Sequence, residues 1–209
     1  MRKHLPIGTL VLFAIGVGIV IIGRTILTSQ EVEVPQELMG VMRPFQKTLH
    51  PFTLTTQHGQ DFTLQHLEGK WSFVFFGYTS CPDICPTTLM TLKSMIRDLG
   101  AGSGAVSDLQ VVFVAVDPQR DQAILGEYLK HFDPGFIGIT AEEQALRRFS
   151  EQFGAMFIRE RGETQDFYLI SHTSSVFLVD PQGRIVASFP PPHNPGTIAS
   201  QYEAIRDLL

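Results

Sequence analysis

The chain has 209 residues, room for one domain and an appendage, and its apolar content, with sixteen phenylalanines, is enough for a true core. Its two cysteines are therefore not needed to staple a coreless fold. A formal charge of −5 leaves no basic stripe to neutralise phosphates, which argues against a nucleic-acid partner.

In chain order, the apolar run Leu5 to Gly23 carries no ionised group and follows Arg2, Lys3 and His4. About 20 residues at 1.5 Å rise cross a hydrocarbon core, so the run can just span a bilayer. A cleaved signal is the competing reading, but no small-x-small site stands at its end, and an uncleaved transmembrane anchor over 1–27 is expected. Basic residues before the span keep the N-terminus cytoplasmic, so the rest belongs on the exported, periplasmic side of the inner membrane. Residues 28–50, polar and carrying Pro35 and Pro44, read as a tether. The folded domain is expected over 51–209.

Phe52 to Leu64 alternates around a glycine turn and reads as an N-terminal β-hairpin. Ser72–Gly77 and Leu109–Val116 are wholly apolar runs suited to strands covered on both faces. Between them the Leu89, Leu92, Ile96, Leu99 stripe predicts a helix from Pro86 to Leu99, with Gly100 closing it. Asp121 is placed to cap a helix bearing Ile124, Leu125, Tyr128, Leu129 and Phe132. A strand at 136–139, a helix over about 141–153, a hairpin at 174–189 around Asp180-Pro181-Gln182-Gly183, and a helix over 195–208 complete the pattern. Strands alternating with helices predict an α/β fold, a central sheet flanked by helices.

Both cysteines lie in Cys81-Pro82-Asp83-Ile84-Cys85, between a strand's C-terminal end and a helix N-terminus, where α/β sheets place ligands. Each precedes a proline, so both are expected extended, with Cys85 at the N-cap, where the helix favours a thiolate. A static disulfide would close a loop too short to remove much chain entropy. A redox dithiol and a thiophilic metal site both fit the pair at this point. A third ligand would discriminate. His50, His58, His66, His131 and His193 have ordinary explanations as solvated, helix-terminal or loop residues, and His4 lies in the N-terminal flank. His172 stands directly before the strand at 174–179, at the sheet end that carries the cysteines, and could complete a two-sulfur, one-nitrogen site for copper or zinc.

Four segments occur in one order: Phe76 to Pro86 around the cysteines, Val116-Asp117-Pro118-Gln119-Arg120-Asp121, Tyr128 to Phe132, and Tyr168 to His172 before a strand ending in Val179-Asp180-Pro181. Together they resemble the Sco/SenC family, membrane-anchored, thioredoxin-like proteins that help mature the binuclear copper centre of cytochrome c oxidase. The resemblance spans roughly residues 50–209. It implies a thioredoxin-like mixed sheet and one copper, Cu(I) or Cu(II), held by Cys81, Cys85 and His172. It also implies as partners the oxidase copper-site subunit and a further copper chaperone or thiol reductant. Ser171-His172-Thr173 would replace the cis-proline loop that thioredoxins set beside their dithiol. Asp117 would lie near the copper loop and support it or help docking, whereas Asp121 reads as a helix N-cap, and Tyr78 and Tyr168 as packing aromatics. Many relatives carry aspartate where this chain has Ser171, so any role of that carboxylate is absent here.

Three functions follow in order. The first is a copper metallochaperone using all three ligands. The second is a membrane-tethered thiol–disulfide oxidoreductase that reduces the oxidase copper-site cysteines with Cys81 and Cys85 alone. The third is a peroxidase, echoed faintly by Thr79-Ser80-Cys81-Pro82, which would need an activating arginine and has no use for His172.

Overall fold

The first strand of the domain lies in the segment expected to be a tether. In the computed structural model, which describes residues 34–102, 106–160 and 168–209, strand β1 (Met42–Thr48) forms one edge of an eight-stranded sheet. It pairs antiparallel with the last strand of the chain, Arg184–Phe189. The expected anchor and the first part of the tether lie outside the described residues. The rest of the tether reading is corrected: Leu38, Met42 and Leu49 are buried, and residues from Gln36 onward belong to the same compact unit as the domain. Pro44 misled the sequence reading because it cannot donate to a ladder. At an edge, in a stretch where the register shifts between Met42 and Lys47, that loss is tolerated.

Strands β2 (Thr53–Thr56) and β3 (Asp61–Thr63) form the expected hairpin, at the opposite edge of the sheet. The centre is β4 (Trp71–Gly77), buried at every residue, paired in parallel over its whole length with β5 (Leu109–Ala115). Such pairing, covered on both faces, is why these runs show no polar alternation. Helix α1 (Ile84–Gly102) links them. After β5 come two short helices, α2 (Pro118–Asp121) and α3 (Leu125–Lys130), then β6 (Ile137–Thr140), parallel to β5, and helix α4 (Glu143–Phe153). Gly154, at φ 70°, closes α4 in the left-handed conformation that glycine adopts without strain.

A separate two-stranded ribbon, β7 (Phe157–Arg159) with β8 (Ile170–His172), was not anticipated. Strands β9 (Val176–Val179) and β10 (Arg184–Phe189) form the expected hairpin, and β9 pairs antiparallel with β4. Asp180 fixes its turn by accepting from the backbone N–H groups of Gln182 and Arg184. Helix α5 (Pro195–Leu208), capped by Asn194, packs on α1. The strand order is β1-β10-β9-β4-β5-β6-β2-β3, a mixed, thioredoxin-like α/β sheet.

Candidate metal centre

Strand β4 delivers the chain to the C-terminal end of the sheet, and the loop after Gly77 carries Cys81 before α1 begins at Ile84. The helix starts earlier than expected, so Cys85 lies in its first turn rather than at an extended N-cap. Pro86 permits this. Its missing N–H would have had no partner in the first turn of a helix. The first-turn bond runs from the Thr87 N–H to the Asp83 carbonyl at 3.2 Å.

From the other side, the β7–β8 ribbon brings in His172 as the last residue of β8, opposite Phe157. The Cys81 and Cys85 sulfurs and a His172 ring nitrogen lie within 4.8 Å of one another, and Cys85 Sγ is 3.4 Å from His172 Nε2. Both cysteines are free thiols; Cys85 is buried and Cys81 partly exposed. His172 Nδ1 faces the Thr173 carbonyl at 3.2 Å, a contact that makes Nδ1 the donor and leaves the Nε2 lone pair for a metal. Tyr78 and Phe75 stand edge-on to the imidazole, with ring centroids at 5.9 and 6.0 Å, and fix its plane. The cis peptide among the described residues joins Pro191 to Pro192, and the Ser171–Thr173 segment contains no proline.

Gly77 is part of the site through what it lacks. A Cβ there would fall 2.8 Å from Cys85 Sγ and 2.8 Å from Phe113 Cε2. The Cys85 sulfur occupies the space that any other side chain would take.

The two sulfurs are not equivalent. The bond from the Cys85 thiol, opposed by burial and helped by the His172 ring, pulls the Cys81 thiol down to about 3. Cys85 is pushed far up by the same bond, then by burial and by the negative charge of Cys81. The pair divides into a partly exposed thiolate and the buried thiol that donates to it, the arrangement of an attacking sulfur and its resolving partner. The donors open on a groove of about 410 Å³ whose walls include Asp83, Glu160 and Leu169.

Asp117 is wholly enclosed and accepts from the Tyr168 hydroxyl at 2.9 Å and from the Arg120 guanidinium. The same guanidinium lies over the Tyr168 ring at 3.7 Å and over Tyr78 at 5.8 Å. Asp117 therefore meets Tyr168 and Arg120, and its link to the ligands runs through Arg120 and Tyr78. The N-cap reading of Asp121 is corrected. The residue at the start of α3 is Ile124, with no side-chain cap, and the Asp121 carboxylate turns inward to Thr79. Sequence spacing could not show this, because the partner lies 42 residues away.

Residues 41–207 match the SCO1/SenC family model. The chain belongs to that family. It is 39% identical over 140 residues to a SCO2-like protein of Rickettsia felis, covering 66% of this chain and 67% of that one. Among solved structures, Arabidopsis thaliana ScoI with copper bound is similar at a TM-score of 0.70 and 31% identity, covering 76% of this chain and 98% of that one. Yeast Sco1 with copper bound is similar at a TM-score of 0.71 and 29% identity, covering 77% and 89%.

Proposed function

We propose that this SCO1/SenC member is a membrane-anchored copper carrier that loads one copper on Cys81, Cys85 and His172. It passes the ion by ligand exchange to the copper-site subunit of cytochrome c oxidase. The observation that carries the reading is the convergence of two sulfurs and one imidazole nitrogen within 4.8 Å at the mouth of a groove. Two thiolates suit Cu(I) and the imidazole helps accommodate Cu(II), so the donor set fits this cargo. The copper-bound relatives support the same choice.

The residues divide the work. Cys81, the more exposed sulfur and already a thiolate, is the first donor to meet incoming copper and the first to be exchanged for a client ligand. Cys85 gives up its proton on loading, and His172 offers Nε2 without proton release while Thr173 holds the ring. The anchor expected over residues 1–27 would confine exchange to the membrane surface, where a membrane-bound client is within reach. Among the described residues no helix is long and apolar enough to cross a membrane, so this part rests on sequence.

The depressed Cys81 thiol favours a second activity of the same pair, reduction of a client disulfide. The Cys81 thiolate attacks one client sulfur, forming a mixed disulfide and expelling the other as a thiolate. Cys85 then attacks Cys81, its proton going to the departing client sulfur. Two electrons leave the dithiol, and a separate thiol reductant must restore it.

The deciding experiment titrates reduced protein from Gln36 onward with Cu(I) under anaerobic conditions. His172→Ala should weaken copper binding and impair oxidase assembly, and the Cys81→Ser/Cys85→Ser variant should abolish both. If His172→Ala binds copper and supports assembly like the parent while disulfide exchange persists, the carrier reading is wrong and the reductase reading stands.

A further inference from the structure

Below the cysteine loop lies a carboxylate that copper exchange does not use. Asp121 is wholly buried. Its Oδ1 accepts from the Thr79 N–H at 3.0 Å and from the Thr79 hydroxyl at 2.6 Å, and its Oδ2 accepts from the Asp117 N–H at 3.3 Å. Among the described residues no ion pair reaches it. The neighbouring Arg120 is engaged with Asp117 and with the Tyr168 carbonyl. A buried carboxylate with no cation lowers stability, so its presence calls for a reason beyond packing.

Three converging donors require an acceptor-only group, which a carboxylate is and an amide is not. Thr79 stands two residues before Cys81, in the loop that joins β4 to α1. Pro82 lacks an N–H, and the Cys81 N–H reaches back to the Tyr78 carbonyl at 3.2 Å. The bonds from Thr79 to Asp121 therefore fasten this loop to the C-terminal end of α2.

We propose that Asp121 is a positioning residue for the metal-binding loop, clamping Thr79 so that Cys81 is held against Cys85 and His172 with a negative charge beneath them. The role rests on the copper reading of the site. It accounts for the inward turn of a residue whose sequence position suits a helix cap.

The test uses the full chain, reduced, in Asp121→Asn, Thr79→Val, Thr79→Ser and Asp180→Asn forms. Asp180 is the control, equally buried and also accepting from two backbone N–H groups, but in the β9–β10 turn at the opposite end of the sheet. Two quantities are read on folded protein: Cu(I) affinity, and the iodoacetamide alkylation rate of Cys81 without copper. Asp121→Asn and Thr79→Val should each lower Cu(I) affinity about tenfold, the scale of one lost charge-assisted hydrogen bond, and change the alkylation rate several-fold. Thr79→Ser should behave as the parent, and Asp180→Asn should lose thermal stability while both readouts hold. If Asp121→Asn and Thr79→Val lose thermal stability but leave both readouts at parent values, Asp121 serves the fold alone and the proposal is overturned. Should Asp121→Asn fail to fold, Thr79→Val decides, since it keeps the backbone bond. A parent chain that binds no copper would defeat the carrier function, and the alkylation arm would still decide the positioning role.

Discussion

A methyl group at Gly77 would compete with the Cys85 sulfur and the Phe113 ring for the same space. Gly77→Ala should destabilise the fold by about 1–3 kcal/mol, the usual cost of overpacking, and displace Cys85 from the other donors. Urea denaturation and a Cu(I) titration of the variant will show both losses. The depressed Cys81 thiol gives a second expectation. Cys81 should be alkylated as fast at about pH 5 as at about pH 7, because it remains a thiolate until the pH nears about 3. In Cys85→Ala the principal donor is gone, and the acid fall-off should move up toward the ordinary thiol range. Asp121 behaves oppositely, since burial raises it from 3.8 to about 6. Its contribution to stability is fully present below the unfolded value and is lost as pH rises through about 6, costing on the order of 2–3 kcal/mol at neutrality. Urea unfolding between about pH 4 and 7 should therefore show the parent losing stability relative to Asp121→Asn. Cys81, Cys85 and His172 were legible in sequence because their chemistry is written in residue type and order. The demands on Gly77 and Asp121 were not, because the atoms that make them come from distant strands and loops.

Among the elements, β4, β5 and the β9–β10 hairpin were readable from unbroken apolar runs and a turn sequence, and α5 was expected over the residues it occupies. Strand β1 was not. An edge strand buries little of itself, and here only Met42 of seven residues is buried, so neither alternation nor an apolar run marks it. The β7–β8 ribbon escaped for a similar reason: each strand has three residues, too few to establish a period. Yet the ribbon is what carries His172 to the sulfurs. The placement of β1 has a measurable effect. A fragment from residue 51 removes Leu38, Met42 and Leu49 and bares the edge of β10, whereas one from Gln36 keeps them. Each buried side chain lost should cost roughly 2 kcal/mol, so the shorter fragment should unfold at distinctly lower urea and associate through its open edge. Equal urea midpoints for the two fragments would show β1 to be dispensable.

For the molecule as a whole, copper that binds only the folded state should stabilise it by mass action. With free Cu(I) held near 1,000 times the dissociation constant, the gain is about 4 kcal/mol, on the order of 10 °C in melting temperature. Differential scanning calorimetry of the parent should show that rise, and the Cys81→Ser/Cys85→Ser variant should show none. Sheet topology adds a consequence for handling the protein. Strand β1 runs antiparallel to β4 and enters the sheet at Met42, level with Ala187, Leu178 and Phe73 across the intervening strands. Helix α5 returns to the end of the sheet where Arg206 is paired with Asp108 just ahead of β5. The C-terminus of the domain thus exits at the end of the sheet opposite the cysteine loop. A carrier protein or a surface linker attached after Leu209 therefore stands away from the groove from which a client must collect its metal, and leaves that doorway open.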